Sequence, residues 1–203
     1  PANPGGATTD PQDPDTDGDG VTDSQEAVDG TNPNDVCDYN ASSQVVANIE
    51  ASWNAADCDS DGLTNAEELT GTDDPSTPAD PNGVTTDPQD PDTDGDGVTD
   101  GQEAVDGTNP NDPCDYQGSS QDVALVDAAW SELDCDGDGL NNGEELTGVD
   151  DPDTTLDPDG VTTDPLDADT DNDGHSDATD PNPNDPTDQD DTSIAELGES
   201  TLL

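Results

Sequence analysis

Residues 15–26 read Asp15-x-Asp17-x-Asp19-Gly20-Val21-x-Asp23-x-x-Glu26. Acidic side chains at places one, three, five, nine and twelve, with the Val21 carbonyl at place seven, bring many oxygens together in one short stretch. Carboxylates a few ångströms apart repel strongly unless a cation sits between them. Ca²⁺ is hard and takes six to eight oxygens in a flexible shell, so this donor set suits it. The glycine at place six lets the backbone turn sharply around the ion.

The pattern returns four more times. Loop 2 is Asp57, Asp59, Asp61, Gly62, Leu63, Asn65 and Glu68. Loop 3 is Asp92, Asp94, Asp96, Gly97, Val98, Asp100 and Glu103. Loop 4 is Asp134, Asp136, Asp138, Gly139, Leu140, Asn142 and Glu145. Loop 5 is Asp169, Asp171, Asp173, Gly174, His175, Asp177 and Asp180, in which His175 offers its backbone carbonyl. Five matches in register predict five or more Ca²⁺ ions. Mg²⁺ fits poorly because it keeps its waters and demands a rigid octahedron. Transition metals are disfavoured without a cluster of His or free Cys.

The spacing is that of the twelve-residue EF-hand loop. Two departures matter. The apolar residue stands at place seven (Val21, Leu63, Val98, Leu140), while place eight is Thr22, Thr64, Thr99, Asn141 and Ser176. The flanks are also too short and too rich in proline for paired helices, so these loops read as static staples and not as a switch that opens a groove.

What positions the loops is a repeat. Ala7 to Gly83 matches Val84 to Gly160 at a shift of 77 residues, and a third copy starts at Val161 and loses phase after Asp177. The predicted units are residues 1–83 and 84–160, each with two loops and one disulfide, then 161–190 with one loop, and a tail at 191–203. Inside each copy Asp, Gly, Pro, Thr and Asn predict loops and turns. The i, i+3, i+7 spacing of Val46, Ile49 and Trp53, repeated at Val123, Val126 and Trp130, predicts one longer helix per copy, capped by Ser43 or Ser120. Short helical turns are expected after the loops, such as 65–70 closed by Gly71.

Composition agrees with an ion-held chain. The 203 residues include no Lys or Arg and 55 Asp plus Glu, for a net charge of −55, and only 25% are apolar. So little apolar surface cannot offset chain entropy by itself, and cations are expected to replace the missing core. Phosphate backbones need Lys and Arg, which excludes nucleic acid. No apolar run is long enough for membrane insertion. The carboxylates are consumed by loop spacing, and no nucleophile and base are organised together, so the chain does not read as an enzyme.

Cys37 and Cys58 recur as Cys114 and Cys135, which argues for disulfides Cys37–Cys58 and Cys114–Cys135 and an oxidising compartment, although other pairings remain formally open. Tyr39, Trp53, Tyr116 and Trp130 are expected to form a small core beneath each crosslink with the Val and Ile face. Asn40-Ala41-Ser42 is the one N-glycosylation sequon, and the abundant Thr and Ser leave room for covalent glycans.

The phrase Asp-x-Asp-x-Asp-Gly-Val-x-Asp, repeated with proline-rich connectors and cysteine pairs, resembles the thrombospondin type-3 repeat. It looks especially like variants in secreted bacterial surface proteins, with Gly30-Thr31-Asn32-Pro33 and Asp112-Pro113-Cys114-Asp115 as recognisable phrases, and the resemblance covers residues 7–186. The resemblance implies a mostly irregular fold with little regular secondary structure: an extended tandem array wrapped around Ca²⁺, with short helices and disulfides, used as a stalk or spacer. It also implies Asp10, Asp13, Asp87, Asp90, Asp164 and Asp167 as additional ligands.

The expected function is therefore an extracellular, calcium-stabilised rigid stalk, spacer or fibre subunit, with calcium and neighbouring copies or repeats as partners. The apolar tail residues Ile194, Leu197, Leu202 and Leu203 would suit docking on a next subunit, and equally the chain reads as part of a longer array. The alternatives are a dockerin-like protein-binding module and an acidic calcium-sequestering protein.

Overall fold

Loops 1 to 4 each hand the chain directly to a short helix, and the residue at place eight makes the transfer. The computed structural model describes residues 8–154, 156 and 160–187. Its α-helices are α1 (Asp23–Asp29), α2 (Ala51–Asn54), α3 (Asn65–Thr70), α4 (Asp100–Asp106), α5 (Ala128–Ser131) and α6 (Asn142–Thr147). Two 3-10 turns, Ala41–Ser43 and Val46–Asn48, complete the regular structure, and the described residues contain no strand. The fold is thus an irregular repeat array with short helices.

Thr22, Thr64, Thr99 and Asn141 are the N-caps of α1, α3, α4 and α6, each accepting the backbone N–H three residues on. This explains why the apolar residue sits one place early. Place eight must carry a polar cap, so place seven carries the buried side chain: Val21, Leu63, Val98 and Leu140 are each 1% exposed. In α3 and α6 the cap is reciprocal, with Glu67 and Glu144 returning to the cap N–H of Thr64 and Asn141. Gly71 ends α3 in the left-handed conformation, as the sequence predicts.

The longer helix expected through Val46, Ile49 and Trp53 does not form. A 3-10 turn at Val46–Asn48 is cut off from α2 by Ile49 and Glu50, both with extended ψ. The cause is competition for backbone donors. Val45 N–H donates to Gly20 O at 2.9 Å and Glu50 N–H to Gly18 O at 2.9 Å, while the Gln44 and Ser52 side chains reach Asp19 O and Asp17 O. The segment lies along loop 1 and satisfies its carbonyls instead of its own. Its counterpart keeps only α5, and Val45, Val46 and Val123 are exposed. Ser43 lies inside the first 3-10 turn, which Asn40 caps.

The described residues fall into two compact units, divided between Leu125 and Val126. In the first, Val21, Tyr39 and Trp53 form a buried cluster with Val36, Ile49 and Leu69 packed against it. The Tyr39 and Trp53 rings meet edge to face at a centroid distance of 6.1 Å. The Cys37–Cys58 disulfide bridges 21 residues. Cys114 and Cys135 are also disulfide-bonded, so the chain has no free thiol. In the second unit Trp130 and Leu140 are buried. The expected tail contact lies outside the described residues.

Candidate metal centres

Each loop closes on its own aspartates. Asp15 Oδ1 accepts Gly18 N–H and its Oδ2 accepts Gly20 N–H, both at 3.0 Å. Asp92 does the same with Gly95 and Gly97. The aspartate at place five turns the next corner: Asp19, Asp61, Asp96, Asp138 and Asp173 each accept, through Oδ1, the N–H two residues on. These side-chain turns are local and inexpensive to form, and on Asp19, Asp96 and Asp173 they leave the second oxygen without a protein donor.

The carboxylates of each loop converge. In all five loops the aspartates at places one, three and five bring a carboxylate oxygen within 4.8 Å of one another: Asp15/Asp17/Asp19, Asp57/Asp59/Asp61, Asp92/Asp94/Asp96, Asp134/Asp136/Asp138 and Asp169/Asp171/Asp173. The Oδ2 atoms of Asp17, Asp19, Asp59, Asp94, Asp96, Asp136, Asp171 and Asp173 are buried with no hydrogen-bond partner. The glutamates at place twelve share this state. Glu26 and Glu103 leave both carboxylate oxygens buried and unpartnered, and Glu68 and Glu145 leave Oε2 so.

A buried carboxylate oxygen without a donor is costly, and the ionisation of these groups reflects it. Burial, with Asp17 and Asp19 beside it, pushes the Glu26 carboxyl up to about 8. Burial together with Asp59 and Asp61 pushes Glu68 up to about 9. Glu103, beside Asp94 and Asp96, also rises to about 9, and Glu145, beside Asp136, to about 8. Asp19 and Asp96 rise to about 7 through burial. A divalent cation supplies what the protein withholds from these oxygens, so the donor set fits a hard ion.

The neighbouring glutamate makes the contrast. Glu67 precedes Glu68 and is equally hidden, at 1% exposure against 0%. Yet Glu67 accepts Thr77 Oγ1 at 2.6 Å, Asp74 N–H at 2.9 Å and Thr64 N–H at 2.8 Å. Against the burial, these bonds hold its carboxyl below the usual range. Glu67 is satisfied by the protein; Glu68 is not.

The predicted side chains at place nine behave differently from the triads. Asp23 spends Oδ1 on Thr16 N–H and Oδ2 on Thr16 Oγ1, at 2.9 and 3.0 Å. Asp100 and Asp177 hold Thr93 and Thr170 in the same way, and Asn65 and Asn142 hold Cys58 and Cys135. In loop 5 Asp180 is buried and its Oδ1 accepts Asn182 N–H, and His175 is partly buried. Asp10, Asp87 and Asp164 donate their backbone N–H to Thr16, Thr93 and Thr170. Asp13 and Asp90 accept the N–H of Asp15 and Asp92, and Asp167 that of Asp169.

Sequence reasoning did not foresee place four. Ser60 and Asn172 adopt positive φ there, at 70° and 63°, where the other loops carry glycine. Gly18, Gly95 and Gly137 at the matching positions were the available signal.

Three stretches, residues 15–36, 92–113 and 134–148, match the family model of the bacterial TSP3 repeat. These three stretches are similar to the bacterial TSP3 repeat. TSP3 repeats are calcium-binding structural repeats and not an enzyme family. Loops 2 and 5 lie outside the matched stretches, yet they form the same aspartate triads as the matched TSP3 loops. No curated protein and no solved structure matches the chain. No helix among the described residues is long and apolar enough to cross a membrane.

Proposed function

We propose that this chain is an extracellular structural element, a stalk, spacer or fibre subunit whose TSP3 loops are closed by five or more Ca²⁺ ions. One observation carries the reading: in four loops a buried place-twelve glutamate leaves a carboxylate oxygen with no protein donor, beside an aspartate triad. The first shell in each of these loops is the carboxylates at places one, three, five and twelve with the carbonyl at place seven. For loop 1 these are Asp15, Asp17, Asp19, Glu26 and Val21 O. In loop 5, Asp180 takes the glutamate's place and His175 gives the carbonyl. The ion neutralises charges that repel, and so turns an acidic coil into a fixed module.

Disulfides and the requirement for calcium favour the outside of a cell, where the ion is abundant enough for modules binding at about 10⁻⁴–10⁻³ M. The repeat register favours an array in which each module meets only its neighbours, and such arrays lengthen by duplication. Neighbouring copies or repeats are the protein partners of this reading, and glycans would decorate the Thr- and Ser-rich connectors.

Small-angle scattering and circular dichroism with calcium and with chelator test it. The expected result is an elongated, ordered particle with calcium and a swollen, coil-like one without it, still crosslinked at the cysteines. A compact particle unaffected by chelator would overturn the proposal.

A further inference from the structure

In every acidic loop the residue at place nine is bonded to the residue at place two, and the chemistry of the two changes together. In loops 1, 3 and 5 place two is threonine and place nine is aspartate. Thr93 donates both its N–H and its hydroxyl to the two oxygens of Asp100, at 2.9 and 2.7 Å, and the Thr16–Asp23 and Thr170–Asp177 pairs repeat this. The threonine thus offers two donors to a group with two acceptors.

In loops 2 and 4 place two is a half-cystine and place nine is asparagine. A disulfide sulfur carries no hydrogen and can only accept, weakly. The Cys58 N–H donates to Asn65 Oδ1 at 3.1 Å, which fixes which end of the amide is which. The amide nitrogen then faces Cys58 Sγ at 3.1 Å. Asn142 holds Cys135 with the same two bonds, both at 3.1 Å, and its Nδ2 also donates to Trp130 O. Asn65 and Asn142 are fully buried, so a carboxylate there would set an oxygen against sulfur lone pairs with no water to screen it.

We propose that the place-nine side chain is a positioning residue matched to place two, that Asn65 and Asn142 are set for an oxidised sulfur, and that their side-chain oxygens serve this bond and not the ion. The inference rests on the calcium reading of the loops. It reverses the sign that a simple ligand role predicts. If place nine coordinated Ca²⁺ through its side chain, Asn65→Asp would add a charged ligand and tighten loop 2. As a positioning residue matched to a disulfide, Asn65→Asp loosens it.

The test is a calcium titration of the full oxidised chain followed by amide NMR, with the Gly62 N–H reporting loop 2 and the Gly20 and Gly174 N–H groups as internal controls. N65D is expected to weaken loop 2 about tenfold, leaving Gly20 and Gly174 unchanged. The triple variant C37S/C58T/N65D, which rebuilds the threonine–aspartate pair and has no crosslink at that site, is expected to regain most of the loss. Tighter binding in N65D, or a triple variant no better than N65D, overturns the inference. If no glycine amide of the unaltered chain responds to calcium, the calcium reading has itself failed. That outcome is separate, because it is read before any substitution.

Discussion

The carboxylate of Asp61, at place five of loop 2, accepts the backbone N–H of Gly101, at place ten of loop 3 and in the first turn of α4. Asp138 of loop 4 accepts Ala178 N–H at place ten of loop 5 at 2.7 Å, the same step of 40 residues. One oxygen of each carboxylate therefore closes its own loop and the other holds the next. Glu68 reinforces the first link, since its carbonyl accepts Thr86 N–H at 3.1 Å and its Oε1 accepts Thr86 Oγ1 at 3.3 Å.

Loops 2 and 3 should therefore sense each other. D61A removes a ligand from loop 2 and the bond to α4 together. It is expected to abolish the calcium response of the Gly62 amide and to weaken that of Gly97 in loop 3 several-fold. An unchanged Gly97 titration would show that the bond transmits nothing.

Gly101 is where this contact is most exacting. A Cβ there would collide with the Asp61 carbonyl oxygen, a backbone atom that cannot swing away. G101A should cost about 1–3 kcal/mol, the usual range for overpacking, measured by urea unfolding in calcium. Ser24, the exposed counterpart in α1, is the control, and S24A should stay within about 0.5 kcal/mol.

The core offers a sharper contrast still. Trp53 is fully buried at the centre of the Val21–Tyr39 cluster, whereas Val46 is 59% exposed. W53A should cost about 3–5 kcal/mol, while V46A should lie within about 0.5 kcal/mol. Comparable losses from both, read by thermal unfolding, would mean that the segment folds as the continuous helix its periodicity suggests.

That pair also shows how far the sequence could be read. The triads were legible because a ligand spacing is local: Asp15, Asp17 and Asp19 meet through turns that span only a few residues. So was the 65–70 turn, since cap and stop are both local signals. The helix through Val46 was not, because its backbone donors go to Gly20 and Gly18, carbonyls about thirty residues away that no periodicity reveals. Place nine was half-legible. Its residue types suggest a ligand, and only the bonds from Thr16 and Cys58 show where those atoms are spent.

Acidity should act in opposite directions with and without the ion. In the ion-free fold, burial and the neighbouring aspartates push the Glu68 and Glu103 carboxyls up to about 9 and those of Glu26 and Glu145 to about 8, against an ordinary value of 4.5. A carboxyl raised on folding holds its proton more tightly in the folded chain. Its contribution is therefore complete below pH 4.5 and is lost as pH rises through 8 to 9. The chelated chain, coil-like at neutral pH, should therefore recover the most helical circular dichroism near pH 4.5 and the least near pH 9. With calcium the slope should invert in the acid range, because protons compete with the ion for the same oxygens. A helical signal in chelator that climbs with pH would contradict the assignment of these glutamates.

Glu67 and Glu68 separate structural from ion-binding carboxylates within one turn of α3. Glu67 is tied to Thr64, Asp74 and Thr77, so E67Q forces an amide among donors and breaks the capping box. It should destabilise the calcium-loaded chain by about 1–2 kcal/mol and lower the residual helical signal in chelator as well. Glu68 keeps a buried oxygen for which the protein supplies nothing. E68Q should therefore weaken calcium at loop 2 at least tenfold, about 1.4 kcal/mol, yet raise the residual helical signal in chelator at pH 9, where the native glutamate is forced to ionise without a partner. The sign change between the two conditions is the diagnostic. If E68Q destabilises the chelated chain as E67Q does, Glu68 is a structural acceptor like its neighbour, and loop 2 loses its twelfth-place ligand.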